Sequence, residues 1–118
     1  MPIYADDFPK NLFLDINKHT VYYRVMIKSF RCPETEKIFQ REYSRRFPYD
    51  IQQRAFMKLN AIDAAIRTND LRLPPSNRLE ALKGKRQGQW SIRINDQWRI
   101  CFVWLNGNTE NVEIVDYH

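Results

Sequence analysis

The chain has 118 residues, of which 43% are hydrophobic and 14% aromatic, and this size suits one domain with a single core. Its formal charge of +5 favours a nucleic acid or an acidic protein as partner, although many small proteins are basic without such a role. No apolar run approaches the ~20 residues of a membrane span, and the N-terminus lacks a signal-peptide pattern. We therefore expect a cytoplasmic protein without a membrane partner.

The two cysteines, Cys32 and Cys101, lie far apart in the sequence. Such a pair is more often two reduced thiols than a disulfide, and its spacing does not match a metal site. We expect both thiols to be free.

Residues 1–25 lack a clean periodicity, whereas Met26 begins a short alternating stretch, MIKSF, that reads as an N-terminal strand. We interpret 1–25 as an extension that an upstream start codon could add, and 26–118 as the domain. The alternative is that 1–25 form a real additional element that covers a sheet edge.

Two consecutive helices are predicted after this strand. The first begins at Cys32-Pro33, with proline early and acids in the first turn, and ends near Phe47-Pro48. Its buried stripe would contain Ile38, Phe39 and Tyr43.

The second helix runs from Asp50 to about Thr68, and Asp50 with Gln53 has the spacing of a capping box. Apolar residues recur every three or four positions, which predicts one buried face. These residues are Ile51, Ala55, Leu59, Ile62 and Ile66. Such a helical hairpin needs a sheet on which to pack its apolar face.

A proline-containing connection, 71–77, leads into the basic run Arg78–Arg86. An arbitrary basic run is most often a solvated loop. The functional interpretation is that its cations, together with Arg93 of the following strand, bind RNA. The predicted RNA-binding residues are Arg78, Lys83, Lys85, Arg86 and Arg93.

The C-terminal 30 residues read as three antiparallel strands. A three-residue turn at 95–97 would place Ile92 opposite Ile100 and Trp90 opposite Phe102, with all apolar residues on one face. The helices should pack on that face, and Arg93 and Arg99 should project from the other.

The register of the last strand decides which polar residues meet. A loop at 106–109 would pair Leu105 with Glu110 and Arg99 with Asp116, and His118 would share the face of Asp116. Tyr117 would then point to the other face.

This predicted cluster has a simple structural interpretation and a catalytic one. Arg99 and Asp116 could form an exposed cross-strand salt bridge, worth about 0–1 kcal/mol. A metal site is disfavoured, because one histidine and one aspartate are not a ligand set. Alternatively the cluster cleaves RNA, whose 2′-OH is the nucleophile, so that Asp116 or His118 handles protons and cations stabilise the phosphorane.

Three segments carry a resemblance to a known family: RLEALKG (78–84), GQWSIRINDQWRI (88–100) and VEIVDYH (112–118). In this order and spacing they resemble the HigB toxins of the RelE superfamily, over residues 26–118. The resemblance implies an α+β fold in the order β-α-α-β-β-β, with an N-terminal strand, a two-helix hairpin and a three-stranded antiparallel sheet.

The resemblance also implies a function. HigB-like toxins cleave mRNA on the ribosome, and the 2′-OH attack described above requires no metal, so we expect a metal-independent endoribonuclease. They pair with a HigA-like helix-turn-helix antitoxin, and the complex binds operator DNA. No cofactor is implied. Carried over by position, the site residues are Lys83, Arg99, Asp116, Tyr117 and His118.

Glu80 departs from the family pattern, since well-known members have a histidine at this position. Glu80 could serve as a base, and we include it among the candidate catalytic residues, or it could only anchor the loop. The alternative function is therefore a weak or inactive RNA- or ribosome-binding module that acts with its antitoxin in operon autoregulation. A further alternative is a ribonuclease that works without the ribosome.

Overall fold

The computed structural model describes residues 12–15, 20–23 and 26–117. Strands β1 (Leu12–Asp15) and β2 (Thr20–Tyr23) form an antiparallel pair. Helices α1 (Pro33–Phe39) and α2 (Tyr49–Ala64) follow. A four-stranded antiparallel sheet contains, in spatial order, β3 (Glu80–Ala81), β4 (Gln89–Arg93), β5 (Trp98–Leu105) and β6 (Asn108–Asp116).

The predicted α+β class is confirmed, with two differences in the strands. The short β3 adds a fourth strand to the three predicted. The predicted N-terminal strand lies parallel to β6 but makes only two isolated bridges, at Ile27 and Phe30. Between these bridges Asn111 has a φ of 54°, and its N–H donates to the Ser29 hydroxyl instead of a backbone carbonyl. This left-handed residue interrupts the ladder.

The interpretation of residues 1–25 as an extension stays a prediction, because most of them lie outside the described residues. None of the described helices is both long and apolar enough to cross a membrane.

The first helix is shorter than predicted. It ends at Phe39 in a Schellman motif, in which the N–H of Arg41 donates to the Ile38 carbonyl and the N–H of Glu42 donates to Lys37. Arg41 takes the left-handed conformation (φ 65°) that glycine usually supplies. The prediction that Tyr43 is buried is wrong, since Tyr43 lies beyond the helix and is 60% exposed.

The second helix has the predicted buried face but different ends. Four of its predicted apolar residues are buried: Ile51, Ala55, Leu59 and Ile62. Asp50 lies inside the first turn and makes no cap, so the capping-box prediction is wrong. The helix stops at Ala64, where the Asp70 carboxylate accepts the N–H groups of Ile66 and Arg67. Ile66 is consequently exposed.

The register of β4 with β5 is as predicted. Ile92 pairs with Ile100, and Trp90 pairs with Phe102. These residues belong to the apolar face of the sheet, which packs against α2, and Ile92, Ile100 and Phe102 are fully buried.

The predicted register of β5 with β6 is wrong. Asn106 and Gly107 both have positive φ and form a two-residue turn, so that Leu105 pairs with Asn108. A bulge between Cys101 and Val103 shifts the register once more. Trp98 therefore pairs with Asp116, and Arg99 pairs with Val115. Arg99 and Asp116 lie on opposite faces of the sheet.

Asp63 joins α2 to the start of the domain, since its carboxylate accepts the N–H of Ile27 at 3.0 Å. Burial raises the pKa of this carboxyl, while the backbone N–H groups of Ile27 and Met26 act in the opposite direction. The group is therefore more easily protonated in the folded than in the unfolded state.

We expect Asp63 to make the protein less stable as pH rises. With a raised folded-state pKa, its contribution is most favourable below the ordinary aspartate pKa of about 4 and is lost as pH rises through the folded value. Asp63→Asn has no titrating group at this position, so its free energy of unfolding lacks this pH dependence. Urea unfolding from pH 3.5 to 7 should therefore show the variant gaining stability relative to the wild type as pH rises. A difference that is constant with pH would contradict this assignment.

Candidate active site

The face of the sheet opposite the helices carries a row of polar and sulfur-containing side chains. Glu80 pairs with Ser91, Ser91 with Cys101, and Cys101 with Glu113, so that each of the four strands contributes one residue. Arg99 lies two residues from Cys101 on the same face. We call this surface the polar face.

Three hydrogen bonds hold the guanidinium of Arg99 on the polar face. Nε donates to the Ser91 hydroxyl at 2.8 Å, and Nη2 donates to the carbonyls of Arg78 at 2.6 Å and Ser91 at 3.3 Å. Arg99 is only 8% exposed. These bonds fix the orientation of its planar donors before any ligand binds.

Two further groups flank this guanidinium. The Glu80 carboxylate lies 3.6 Å from Arg99 Nη2, and its side chain is about half exposed. Arg99 Cζ lies 5.4 Å from the centre of the Tyr117 ring, within the range of a cation–π contact. The site therefore combines a fixed cation, an accessible carboxylate and an aromatic ring, which are groups that can bind a phosphate, accept a proton and stack on a base.

Glu113 of β6 binds the end of the basic run Arg78–Arg86. Arg86 Nη1 donates to Glu113 Oε1 and to Gln89 Oε1, both at 2.9 Å. Arg31 Nε lies 3.8 Å from the second oxygen of Glu113. The hydrogen bond with Glu113 is the main reason why the pKa of Arg86 is raised.

The centre of the polar face is buried. Cys101 and Ser91 have no exposed surface, and burial raises the pKa of the Cys101 thiol. Both Cys101 and Cys32 are free, buried thiols. Among the described residues, no group of three histidine, cysteine or acidic side chains could hold a metal ion.

The prediction that Arg99 and Asp116 face each other is wrong, because of the register shift. Asp116 lies on the side of Trp98 and accepts a hydrogen bond from the Gln97 amide at 3.0 Å. It lines a cleft of about 450 Å³ with Trp98, Arg31 and Arg46. Tyr117, predicted to point away from Arg99, is the residue that meets it. His118 lies outside the described residues.

The predicted RNA-binding cations do not converge on one point. The side chains of Arg78, Lys83 and Lys85 are exposed on the loop, and Arg86 is bound by Glu113. Arg93 is paired across the strands with Arg99, and its side chain turns to Asp96. The structure brings Glu80, Arg99 and Tyr117 together and leaves Lys83 without an ion pair to any described residue.

Sequence reasoning did not identify Ser91, Gln97 and Glu113 as parts of the site. The correct β4–β5 register already placed Ser91 on the face of Arg99, where a small hydroxyl side chain beside an arginine is a readable signal. Gln97 and Glu113 depend on the β6 register, which the two-residue turn and the bulge between Cys101 and Val103 together determine.

Comparison with known proteins agrees with this architecture. A family model described as the RelE-like toxin of type II toxin-antitoxin system HigB matches residues 28–118. Toxin HigB-1 of Vibrio cholerae is 39% identical over 83 residues, which is 70% of this chain and 87% of that protein. Endoribonuclease HigB of Proteus vulgaris is 34% identical over 93 residues, which is 79% of this chain and all of that protein. An uncharacterized protein of Haemophilus influenzae is 36% identical over 67 residues, covering 57% of this chain and 66% of that protein.

The matched region contains both helices, the whole four-stranded sheet and every predicted site residue. The chain therefore belongs to the HigB-like family of RelE-like toxins of type II toxin-antitoxin systems.

Proposed function

We propose that the protein is an endoribonuclease that cleaves mRNA on the ribosome and thereby inhibits translation. The observation that carries this proposal is the buried Arg99 guanidinium, fixed by Ser91 and Arg78 beside the accessible Glu80 carboxylate. The printed name of the Proteus vulgaris relative, Endoribonuclease HigB, supports the same activity.

The proposed reaction uses the 2′-OH of the RNA as nucleophile and needs no metal ion. Glu80 is the nearest carboxylate to Arg99 and accepts the 2′-OH proton, which frees the oxygen to attack the adjacent phosphorus. Arg99 stabilises the negative charge of the phosphorane, with Lys83 as a second cation. Bond formation to the 2′-oxygen and cleavage of the bond to the 5′-oxygen give a 2′,3′-cyclic phosphate and a 5′-hydroxyl.

The leaving 5′-oxygen takes a proton from His118 in this scheme, by analogy with the family. Asp116 lies on the other face of the sheet from Arg99, so we assign it a supporting role there rather than a place beside the phosphate. Tyr117 stacks on a base next to the cleaved bond. Because Arg99 has little exposed surface, the phosphate reaches it by displacing the Glu80 carboxylate or the Tyr117 ring.

The proposed partners follow from membership of a toxin-antitoxin family. They are a HigA-like helix-turn-helix antitoxin, the ribosome with its mRNA, and operator DNA that is bound through the antitoxin complex. The ribosome would supply the bent substrate geometry that a small site cannot impose alone.

Mapping of mRNA 5′ ends after brief induction tests the proposed activity. New ends inside translated codons, which disappear when the antitoxin is co-expressed, are the expected result. Complete absence of new ends at any expression level would refute the enzyme and favour the alternative, an inactive binding module that acts in autoregulation. The observation that supports this alternative is the ion pair of Glu80 with Arg99, because a carboxylate paired with the site cation can anchor the loop instead of acting as a base.

Lys83→Ala is expected to weaken RNA binding without affecting folding, because Lys83 is exposed and its side chain has no ion pair within the described residues. The slope of log K against log salt is negative, and each lost phosphate contact should reduce its magnitude by about 0.7 for a single strand. Fluorescence anisotropy across a salt series measures this slope. An unchanged slope in the variant would show that Lys83 does not bind a phosphate.

A further inference from the structure

Three cations lie near the end of β4 that α2 passes. Arg54 and Lys58 lie one helical turn apart on α2, and Arg93 is the last residue of β4. Arg54 Nη1 donates to the carbonyl of Ile94 at 3.2 Å, which brings this helix cation to the end of the strand. Within the described residues, β3 pairs only with Trp90 and Ser91, so the edge of β4 that faces away from β5 is uncovered at this end.

Lys58 is held in position by a neutral partner. Its ammonium donates to the side-chain oxygen of Asn77, which is almost completely buried. The Asn77 amide nitrogen in turn donates to the carbonyls of Leu71 at 3.1 Å and Leu73 at 3.2 Å. This network orients the Asn77 oxygen and hence the lysine, but it supplies no negative charge.

The cluster is short of counter-ions. Among the described residues, its one ion pair joins Arg93 to Asp96, whose side chain is fully exposed, and neither Arg54 nor Lys58 has a carboxylate partner. Such an exposed pair contributes little. Burial lowers the pKa of Lys58, and repulsion from Arg54 and Arg93 lowers it further. An anion bound between the three cations would relieve this repulsion.

Arg93 connects the cluster to the candidate active site. It pairs directly across the strands with Arg99, and like charges in this arrangement are unfavourable without a ligand. Positively charged side chains therefore extend from the polar face around the end of β4 to α2. An extended ligand with several negative charges could contact all of them.

We propose that Arg54, Lys58 and Arg93 bind backbone phosphates of the same RNA strand whose cleaved phosphate lies at Arg99. The identity of the ligand as RNA rests on the proposed function. Binding through phosphates is independent of base sequence, so this surface increases affinity and aligns the strand but does not select the cleaved codon.

The test compares the wild type with Arg54→Gln/Lys58→Gln for binding of a 12-nucleotide 2′-O-methyl RNA. This probe has no free 2′-OH, so it cannot be cleaved while affinity is measured by anisotropy. We expect weaker binding. The slope of log K against log salt should also decrease in magnitude by about 1.4, which corresponds to two lost contacts on a single strand.

The matched control is Lys28→Gln/Arg45→Gln, which removes the same charge from two exposed residues elsewhere. Its slope should stay close to that of the wild type. A second variant, Arg54→Lys/Lys58→Arg, keeps both charges and should retain most of the affinity. If the double glutamine variant fails to fold, Arg54→Gln alone should reduce the magnitude of the slope by about 0.7.

Equal slope changes in the glutamine variant and the control would overturn the proposal, since only net charge would then matter. Normal RNA binding by the glutamine variant with lost affinity for the purified antitoxin would also overturn it, by making the surface a protein interface. Failure of the proposed function is separate: cleavage would be absent in the wild type, whereas probe binding would still depend on Arg54 and Lys58.

Discussion

Arg99→Ala is expected to lower the rate of mRNA cleavage on the ribosome by about 100- to 1000-fold, the usual effect of removing one fixed donor to a developing anion. The loss has two parts. The phosphorane loses its best-oriented cation, and Glu80 loses the positive charge that lies 3.6 Å away. Single-turnover cleavage of programmed ribosomes with purified protein measures the effect directly.

Because Arg99 is buried, this experiment needs a measure of folding. The alanine variant leaves the buried Ser91 hydroxyl without its donor, at a cost of about 1–3 kcal/mol, and also removes the donor to the less buried Arg78 carbonyl. Arg99→Lys keeps the charge but cannot reproduce the forked donor geometry, so we expect an intermediate rate. Arg45→Ala, at an exposed arginine, is the control. A folded alanine variant with wild-type cleavage would remove Arg99 from the mechanism.

Phe102→Ala should have the largest effect on stability, a loss of about 3–5 kcal/mol, because it empties the centre of the core. Phe102 has no exposed surface and packs in the cluster that joins the apolar face of the sheet to α2. Urea denaturation gives the free energy of unfolding from the midpoint and slope.

Met57→Ala is the matched control for the core substitution, since Met57 lies on α2 but is 61% exposed. Its effect should stay within about 0.5 kcal/mol. If Phe102→Ala cost less than about 1 kcal/mol, the assignment of β5 as the central core strand would be wrong.

The core could be predicted from the sequence because the spacing of apolar residues along a helix or strand indicates which face is buried. The spacing of Ile51, Ala55, Leu59 and Ile62 identified the buried face of α2, and the alternation in 90–102 identified the β4–β5 register. Both patterns arise from the hydrophobic effect acting on a regular backbone.

Element ends and the β6 register could not be predicted in the same way. The first helix is terminated by an arginine in a left-handed conformation, two residues beyond its last helical residue. Residue propensities do not predict an arginine in this conformation. Residues 106–109 allowed several loop lengths, and the alternation of β6 did not exclude a bulge, in which Asn111 and Val112 of β6 lie opposite Phe102 alone. The contacts within the site depend on that register, which is why the predicted contact of Arg99 with Asp116 was wrong.

The two-residue turn between β5 and β6 has a consequence for the evolution of the family. Surface turns usually tolerate insertions and deletions. Here a change of one residue at Asn106-Gly107 that slid β6 along β5 would exchange Asp116 and Tyr117 between the two faces, and a carboxylate would replace the aromatic ring beside Arg99. The turn and the bulge together therefore decide which residue lies beside Arg99, although no residue of the turn touches the substrate in the proposed mechanism.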